Sequence, residues 1–141
     1  MNHVVVSASR KAWGKNARAM RIFVLRLLTV LRVRHTTIEI YLIDVRVMRR
    51  LNRRFRAKDA PTTILSFGVP QSFIVSGQKN TQIFLGELYL APTYIAQKGE
   101  SEEALVIHGV LHLIGYTHAG KHDTMVMERT ERKLHAFLKG S

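Results

Sequence analysis

The chain has no cysteine, no acidic residue before Glu39 and no apolar run long enough to span a bilayer. Each absence closes a class of explanation. Without Cys there is no disulfide, no thiolate metal site and no cysteine nucleophile, so any transition-metal site must be built from His and carboxylates. The best apolar stretch, Ile22–Val33, is broken by Arg26 and Arg32 and falls short of the ~20 residues a spanning helix needs. No uninterrupted apolar segment precedes a small-residue cleavage site, so a secretory signal fits poorly. The basic, acid-free first 38 residues have the composition of a mitochondrial presequence, which makes a mitochondrial address the alternative to a cytoplasmic one.

What is present fits one domain, residues 1–141, with 46% hydrophobic residues to supply a core. Lys and Arg number 22 against 10 Asp and Glu, a formal charge of +12. The excess is confined to one part of the chain. Residues 1–59 hold 15 basic residues and only Glu39, Asp44 and Asp59, whereas residues 60–141 hold seven of each sign. A polyanion is the natural partner for such a field, membrane headgroups would answer the same charge, and solubility alone is the simplest alternative.

The hydropathy pattern alternates between the two regular periods. His3–Ala8 reads as a strand and Asn16–Arg34 as a helix, with Arg18, Arg21, Thr29 and Arg32 on one side and Met20, Phe23, Val24, Leu27, Leu28 and Leu31 over the rest. Thr37–Ile43 is a strand, and Asp44 is placed to cap a helix over Val45–Arg56. Thr62–Val69 and Ile83–Leu90 are further strands, separated by a loop over Gln71–Thr81. Short helical turns from Pro92 to Lys98 end at Gly99. Ser101, Glu102 and Glu103 open a nearly all-apolar helix to about Ile114, expected to be the buried central one, and an amphipathic helix over Asp123–Leu138 closes the chain. The expectation is an α/β or α+β domain: a mixed sheet of about four strands packed with about five helices.

Two features carry chemistry. On the Val45–Arg56 helix, Arg46, Arg49, Arg50 and Arg53 lie at i, i+3, i+4 and i+7, opposite Val47, Met48, Leu51 and Phe55. Charge stripes that only solubilise usually mix signs, and the absence of interleaved Glu points to anion binding, here to the backbone of a nucleic acid. The second feature is His108-Gly-Val-Leu-His112-Leu-Ile-Gly115-Tyr-Thr-His118. His108 and His112 share one helix face, and Gly115 can reverse the chain so that His118 returns to the same point. Burying three imidazoles without a common ligand would require three sets of polar partners, each failure costing about 1–3 kcal/mol. Three imidazoles and an open fourth position describe a catalytic zinc site. The spacing is that of metzincin proteases, yet Gly109 stands where those enzymes carry their Glu base, which argues against peptidase activity.

The same residues resemble the YbeY family of metal-dependent endoribonucleases, whose signature is His-Gly-x-Leu-His-Leu-x-Gly-Tyr-Asp-His. Leu51-Asn52, Phe55-Arg56-Ala57-Lys58-Asp59 and Pro61-Thr62-Thr63-Ile64-Leu65-Ser66-Phe67 resemble that family's Leu-Asn-x-x-Tyr-Arg-Gly-Lys-Asp and Pro-Thr-Asp-Val-Leu-Ser-Phe blocks. Leu85-Gly86-Glu87-Leu88 resembles its Leu-Gly-Asp-Ile strand, and Met127 and Glu131 match a Met-x-x-x-Glu pair in its last helix. The resemblance implies zinc on His108, His112 and His118, with Arg56 needed for activity on single-stranded RNA in ribosomal RNA maturation and ribosome quality control. It makes the small ribosomal subunit or its RNA the partner and the cytoplasm the compartment. Arg56, with Lys58, would neutralise the charge building up on the phosphate, and Ser66 and Glu87 are candidates to line the cleft. Thr63, Gly68 and Thr117 depart from the family pattern, Thr117 by removing a carboxylate beside the third His. Two other readings compete: an assembly factor with a structural zinc, completed by His122 or Asp123 as a fourth ligand, and a metal-dependent hydrolase of another substrate.

Overall fold

The computed structural model describes residues 1–69, 82–116 and 120–139. The strands are β1 (His3–Ala8), β2 (Thr36–Leu42), β3 (Ile64–Gly68) and β4 (Ile83–Leu90). The helices are α1 (Gly14–Val30), α2 (Val45–Arg56), α3 (Pro92–Gln97), α4 (Glu102–Leu113) and α5 (Lys121–Lys139), with a single 3-10 turn at Lys11–Trp13. The sheet order is β1-β2-β4-β3; β1, β2 and β4 run parallel and the edge strand β3 is antiparallel to β4. The expected mixed α+β sheet is therefore present. The loop read over Gln71–Thr81 lies outside the described residues.

Alternation along the strands splits the core in two. Val4, Ile38, Ile40, Leu42, Leu88 and Leu90 face one way, into the main cluster with α1, α4 and α5. Leu65, with partly buried Tyr41, Phe67 and Tyr89, faces the other way against Met48 and Leu51 of α2. α1 carries the crossover between the parallel strands β1 and β2 on one face, whereas α2 covers the other face and leads into β3, whose antiparallel run brings the chain back before β4.

Helix ends follow local hydrogen bonding more than hydrophobic period. α1 stops at Val30, short of the expected Arg34, because Arg32 turns left-handed (φ 59°). Its N–H donates to Thr29 O and that of Val33 to Leu28 O, each at 3.0 Å, closing a Schellman motif without glycine. α4 is capped at its start by Ser101, whose hydroxyl accepts the Ala104 N–H at 3.2 Å.

One glycine fixes how β4, β3 and α4 meet. A bulge in β4 at Leu85–Gly86 shifts the pairing with β2 between Thr37 and Ile38, and Gly86 adopts φ 142°. A Cβ there would lie 2.2 Å from Phe67 O and 2.9 Å from Leu113 Cδ2. The missing side chain lets β3 and the last turn of α4 close onto β4, and that turn carries His112. Among the described residues no helix is long and apolar enough to cross a membrane.

Candidate metal centre

α4 is not apolar all round. Val106, Ile107, Gly109, Val110 and Leu111 are buried, while His108 and His112 sit on a half-buried stripe facing α5. Position 109 is committed to packing: a Cβ would approach Leu88 Cδ2 to 2.9 Å and Ile64 Cδ1 to 3.0 Å. A side chain at 109 would point at Leu88 and Ile64, away from the half-buried stripe that carries His108 and His112.

The two imidazoles meet as their i, i+4 spacing predicts. His108 Nε2 and His112 Nε2 are 3.1 Å apart, with ring centroids separated by 4.6 Å and planes inclined by 76°. Two nitrogens bound tetrahedrally to one zinc at ~2.0–2.1 Å stand about 3.3 Å apart, so the pair already has the bite of a single ion. Glu131 of α5 fixes the orientation: its Oε1 is 2.7 Å from His108 Nδ1. The carboxylate accepts the Nδ1–H and leaves the lone pair of a neutral imidazole at Nε2, the atom turned toward His112. The resemblance to the family pattern includes Glu131 and implies no role for it. The contact between α5 and α4 supplies one.

Beyond His112 the chain turns as expected. Gly115 adopts φ 112°, its N–H donates to His112 O at 3.1 Å, and the Tyr116 N–H donates to Leu111 O at 3.0 Å. The reversal is in place, and His118 itself lies outside the described residues. Among the described residues alone, no three His, Asp or Glu side chains form a group that could hold a metal ion. A cavity of about 340 Å³ opens just past the helix end, lined by Ile114, Gly115, Tyr116, Asp123 and Val126.

The other candidates are distributed differently. Arg56 ends α2 and donates from Nη2 to Ser66 O at 3.1 Å, with its guanidinium 5.7 Å from the Phe67 ring centroid. It therefore lies on the outer edge of β3, two residues from Gly68, where Leu113 of α4 packs. Lys58 is exposed just beyond. Glu87, considered for the cleft, faces α2 instead: the bulge sets its side chain opposite Leu88, and its carboxylate accepts the Tyr89 hydroxyl at 2.7 Å. Ser66, flanked by Leu65 and Phe67, falls on the α4 face.

The arginine stripe is not uniform. Arg49 makes a two-point ion pair with Asp59, Nε to Oδ1 at 2.9 Å and Nη2 to Oδ2 at 3.2 Å, which holds the Asp59 carboxyl below its ordinary range. Arg46 and Arg50 turn instead toward the start of α2. Asp44 stands at the N-cap as expected but makes no capping bond, because its carboxylate pairs with Arg10.

Residues 8–139 match the profile of the family described as Endoribonuclease YbeY. The Endoribonuclease YbeY of Buchnera aphidicola is 38% identical over 109 residues, covering 72% of this chain and 66% of that protein. That of Rhizorhabdus wittichii is 36% identical over 112 residues, again 72% and 66%. The matched stretch thus spans just under two thirds of these relatives. A solution structure of a Thermotoga maritima protein shares the fold, with a TM-score of 0.57 at 19% identity over 99% of this chain and 93% of that one. Because the match runs from the end of β1 to the end of α5, through both imidazoles and Glu131, the chain belongs to the YbeY family.

Proposed function

We propose that this chain is a zinc-dependent endoribonuclease that cleaves single-stranded RNA during ribosomal RNA maturation in the cytoplasm. The observation that carries this reading is the 3.1 Å approach of the His108 and His112 Nε2 atoms, backed by Glu131. The curated relatives, each named an endoribonuclease, support the reaction class. His118, following the reversal at Gly115, is the third ligand. All-nitrogen donors suit zinc among the common hydrolytic metals.

When bound, zinc supplies a water acidified to near neutrality and an electrophilic partner for a phosphate oxygen. The rest falls to the chain. Glu131 holds the His108 proton at Nδ1. Arg56 commits one N–H to Ser66 O and keeps the rest of its fork for a phosphate, where a fixed positive charge stabilises the transition state. The cavity beside Gly115 and Tyr116 receives a nucleotide of the substrate. Arg46, Arg49, Arg50 and Arg53, with Lys58, hold the RNA backbone and give affinity without reading sequence.

The decisive experiment is metal analysis of the purified protein with ribonuclease assays on single-stranded and duplex RNA, before and after chelation. Activity lost on chelation, restored by zinc and absent in His112→Ala is the expected result. Undiminished cleavage by a zinc-free preparation or by His112→Ala would retire the metal from the reaction. Bound zinc without cleavage would leave an assembly factor.

A further inference from the structure

We infer that a second anion site, separate from the histidine pair, lies at the carboxyl ends of the parallel strands and takes a phosphate monoester. A cavity of about 590 Å³ opens there, lined by Arg10, Asp44, Arg46, Arg50 and Thr93 among others. Arg10 follows β1, Asp44 follows β2, and Thr93 follows β4, so the chain brings three strand ends to one crevice. The position is significant in itself. β1 and β2 are neighbours, yet the segment after β1 leads to α1 on one face and that after β2 leads to α2 on the other. Such a switch point opens a crevice beyond the strand ends, the place where open α/β sheets hold ligands.

The lining sets the chemistry. Three guanidiniums converge with one carboxylate, and that carboxylate is spent on Arg10. Among the described residues neither Arg46 nor Arg50 has an ion-pair partner, so the cavity keeps about two positive charges uncompensated. A phosphate monoester carries about −1.5 to −2 at neutral pH and offers three acceptor oxygens. A phosphodiester carries only one charge, so the match is to a terminal phosphate and not to a link within a strand. Guanidinium forks suit those oxygens, and the Thr93 hydroxyl can donate to them. α2 also begins at this cavity, so the positive end of its dipole adds to the field. The described lining has no aromatic ring on which a base could stack, and Arg10 lies over Trp13 with its guanidinium 5.3 Å from the ring centroid. The site therefore grips the phosphate without reading the base.

The nuclease reading assigns Arg46 and Arg50 to RNA backbone in general. At a terminal phosphate Arg46 and Arg50, with Arg10, recognise the end of a strand without needing zinc. The test is binding of the full chain, with chelator present to prevent hydrolysis, to a short single-stranded RNA bearing a 5′-phosphate, a 3′-phosphate or hydroxyls at both ends. Fluorescence anisotropy at constant salt should show about tenfold or greater preference for a phosphorylated end, and the preferred end identifies the source of the monoester. The preference should vanish in the double variant Arg46→Gln/Arg50→Gln and weaken in Arg10→Gln. It should persist in Arg53→Gln, which lies on the same helix outside the cavity and should weaken all three RNAs equally. Equal binding of the three RNAs by the unmodified chain would overturn the inference. So would a preference that survives the double variant or disappears equally in Arg53→Gln. None of these results bears on zinc content or cleavage, so the nuclease reading stands or falls separately.

Discussion

Glu131 and His108 stand 23 positions apart and meet at 2.7 Å, carboxylate oxygen to Nδ1. This contact ties the closing helix to the candidate metal ligands, because it decides which nitrogen of His108 carries the proton. Partners of this kind commonly contribute 10- to 100-fold to metal affinity. Glu131→Ala should therefore weaken zinc binding by about that factor in a chelator competition titration, with little change in the helical circular dichroism. Glu131→Gln keeps an acceptor for the Nδ1–H and should lose less. Unchanged zinc affinity in Glu131→Ala would reduce the contact to helix packing.

Ala57 ends α2 in the left-handed region, at φ 59° and ψ 28°. That conformation costs an L-residue roughly 1–2 kcal/mol, part of which glycine gives back as extra entropy in the unfolded chain. The family pattern resembled by this segment carries Gly at the position. Ala57→Gly should stabilise the fold by about 0.5–1 kcal/mol, read as a higher urea midpoint at unchanged m-value. A lower midpoint would mean that the turn does not need the left-handed conformation. Arg56 and Lys58 flank this turn, so the same measurement asks how firmly their directions are set.

How far the sequence revealed this molecule depends on the range of the interaction concerned. The edges of β1, α2 and β4 and the convergence of His108 with His112 follow from periods of two and of 3.6, which one stretch of chain contains. The end of α1 does not, since Arg32 takes the place a glycine would have announced. The bulge at Gly86 depends on a partner strand more than forty positions away, and the strand order on pairings 18 to 48 positions apart. The direction of Glu87 depends on that bulge, because it resets the alternation of β4. The likeness to a family pointed to Glu131, and only the packing of α5 on α4 shows what it touches. The arginine stripe looks uniform in the sequence because Asp59, the partner of Arg49, lies across the turn at Ala57, ten residues from Arg49.

That pairing changes what the stripe is expected to do. With Arg49 neutralised by two hydrogen bonds to Asp59, Arg49→Ala should cost less RNA affinity than Arg53→Ala at neutral pH. Asp59→Asn should release the guanidinium, tighten RNA binding and steepen the dependence of log K on log salt by about 0.7 for a single strand. Anisotropy titrations over a series of salt concentrations measure both effects. The same slope in Asp59→Asn as in the unmodified chain would show that Arg49 reaches phosphate without leaving its partner.

On the α2 face of the sheet, Tyr41 and Tyr89 stack with ring centroids 4.9 Å apart and donate to Glu39 at 2.6 Å and Glu87 at 2.7 Å. The hydrogen bond to Glu39, then burial, then the charges of Glu39 and Glu87 push the Tyr41 phenol up to about 12. Tyr89 is raised as well, first by burial and then by its bond to Glu87. A phenol in the unfolded chain ionises near ~10. Between that value and about 12 the folded chain keeps a Tyr41 proton that the unfolded chain has lost. The associated stability is fully present below pH ~10 and disappears as pH rises through the folded value. The urea midpoint should fall across this window, and an ultraviolet titration should show Tyr41 ionising late. Glu39→Gln removes the strongest cause, so it should move that titration back toward the ordinary value and flatten the alkaline loss of stability. A Tyr41 that ionises with ordinary tyrosine in the folded chain would mean that its hydroxyl is not held by Glu39 in solution.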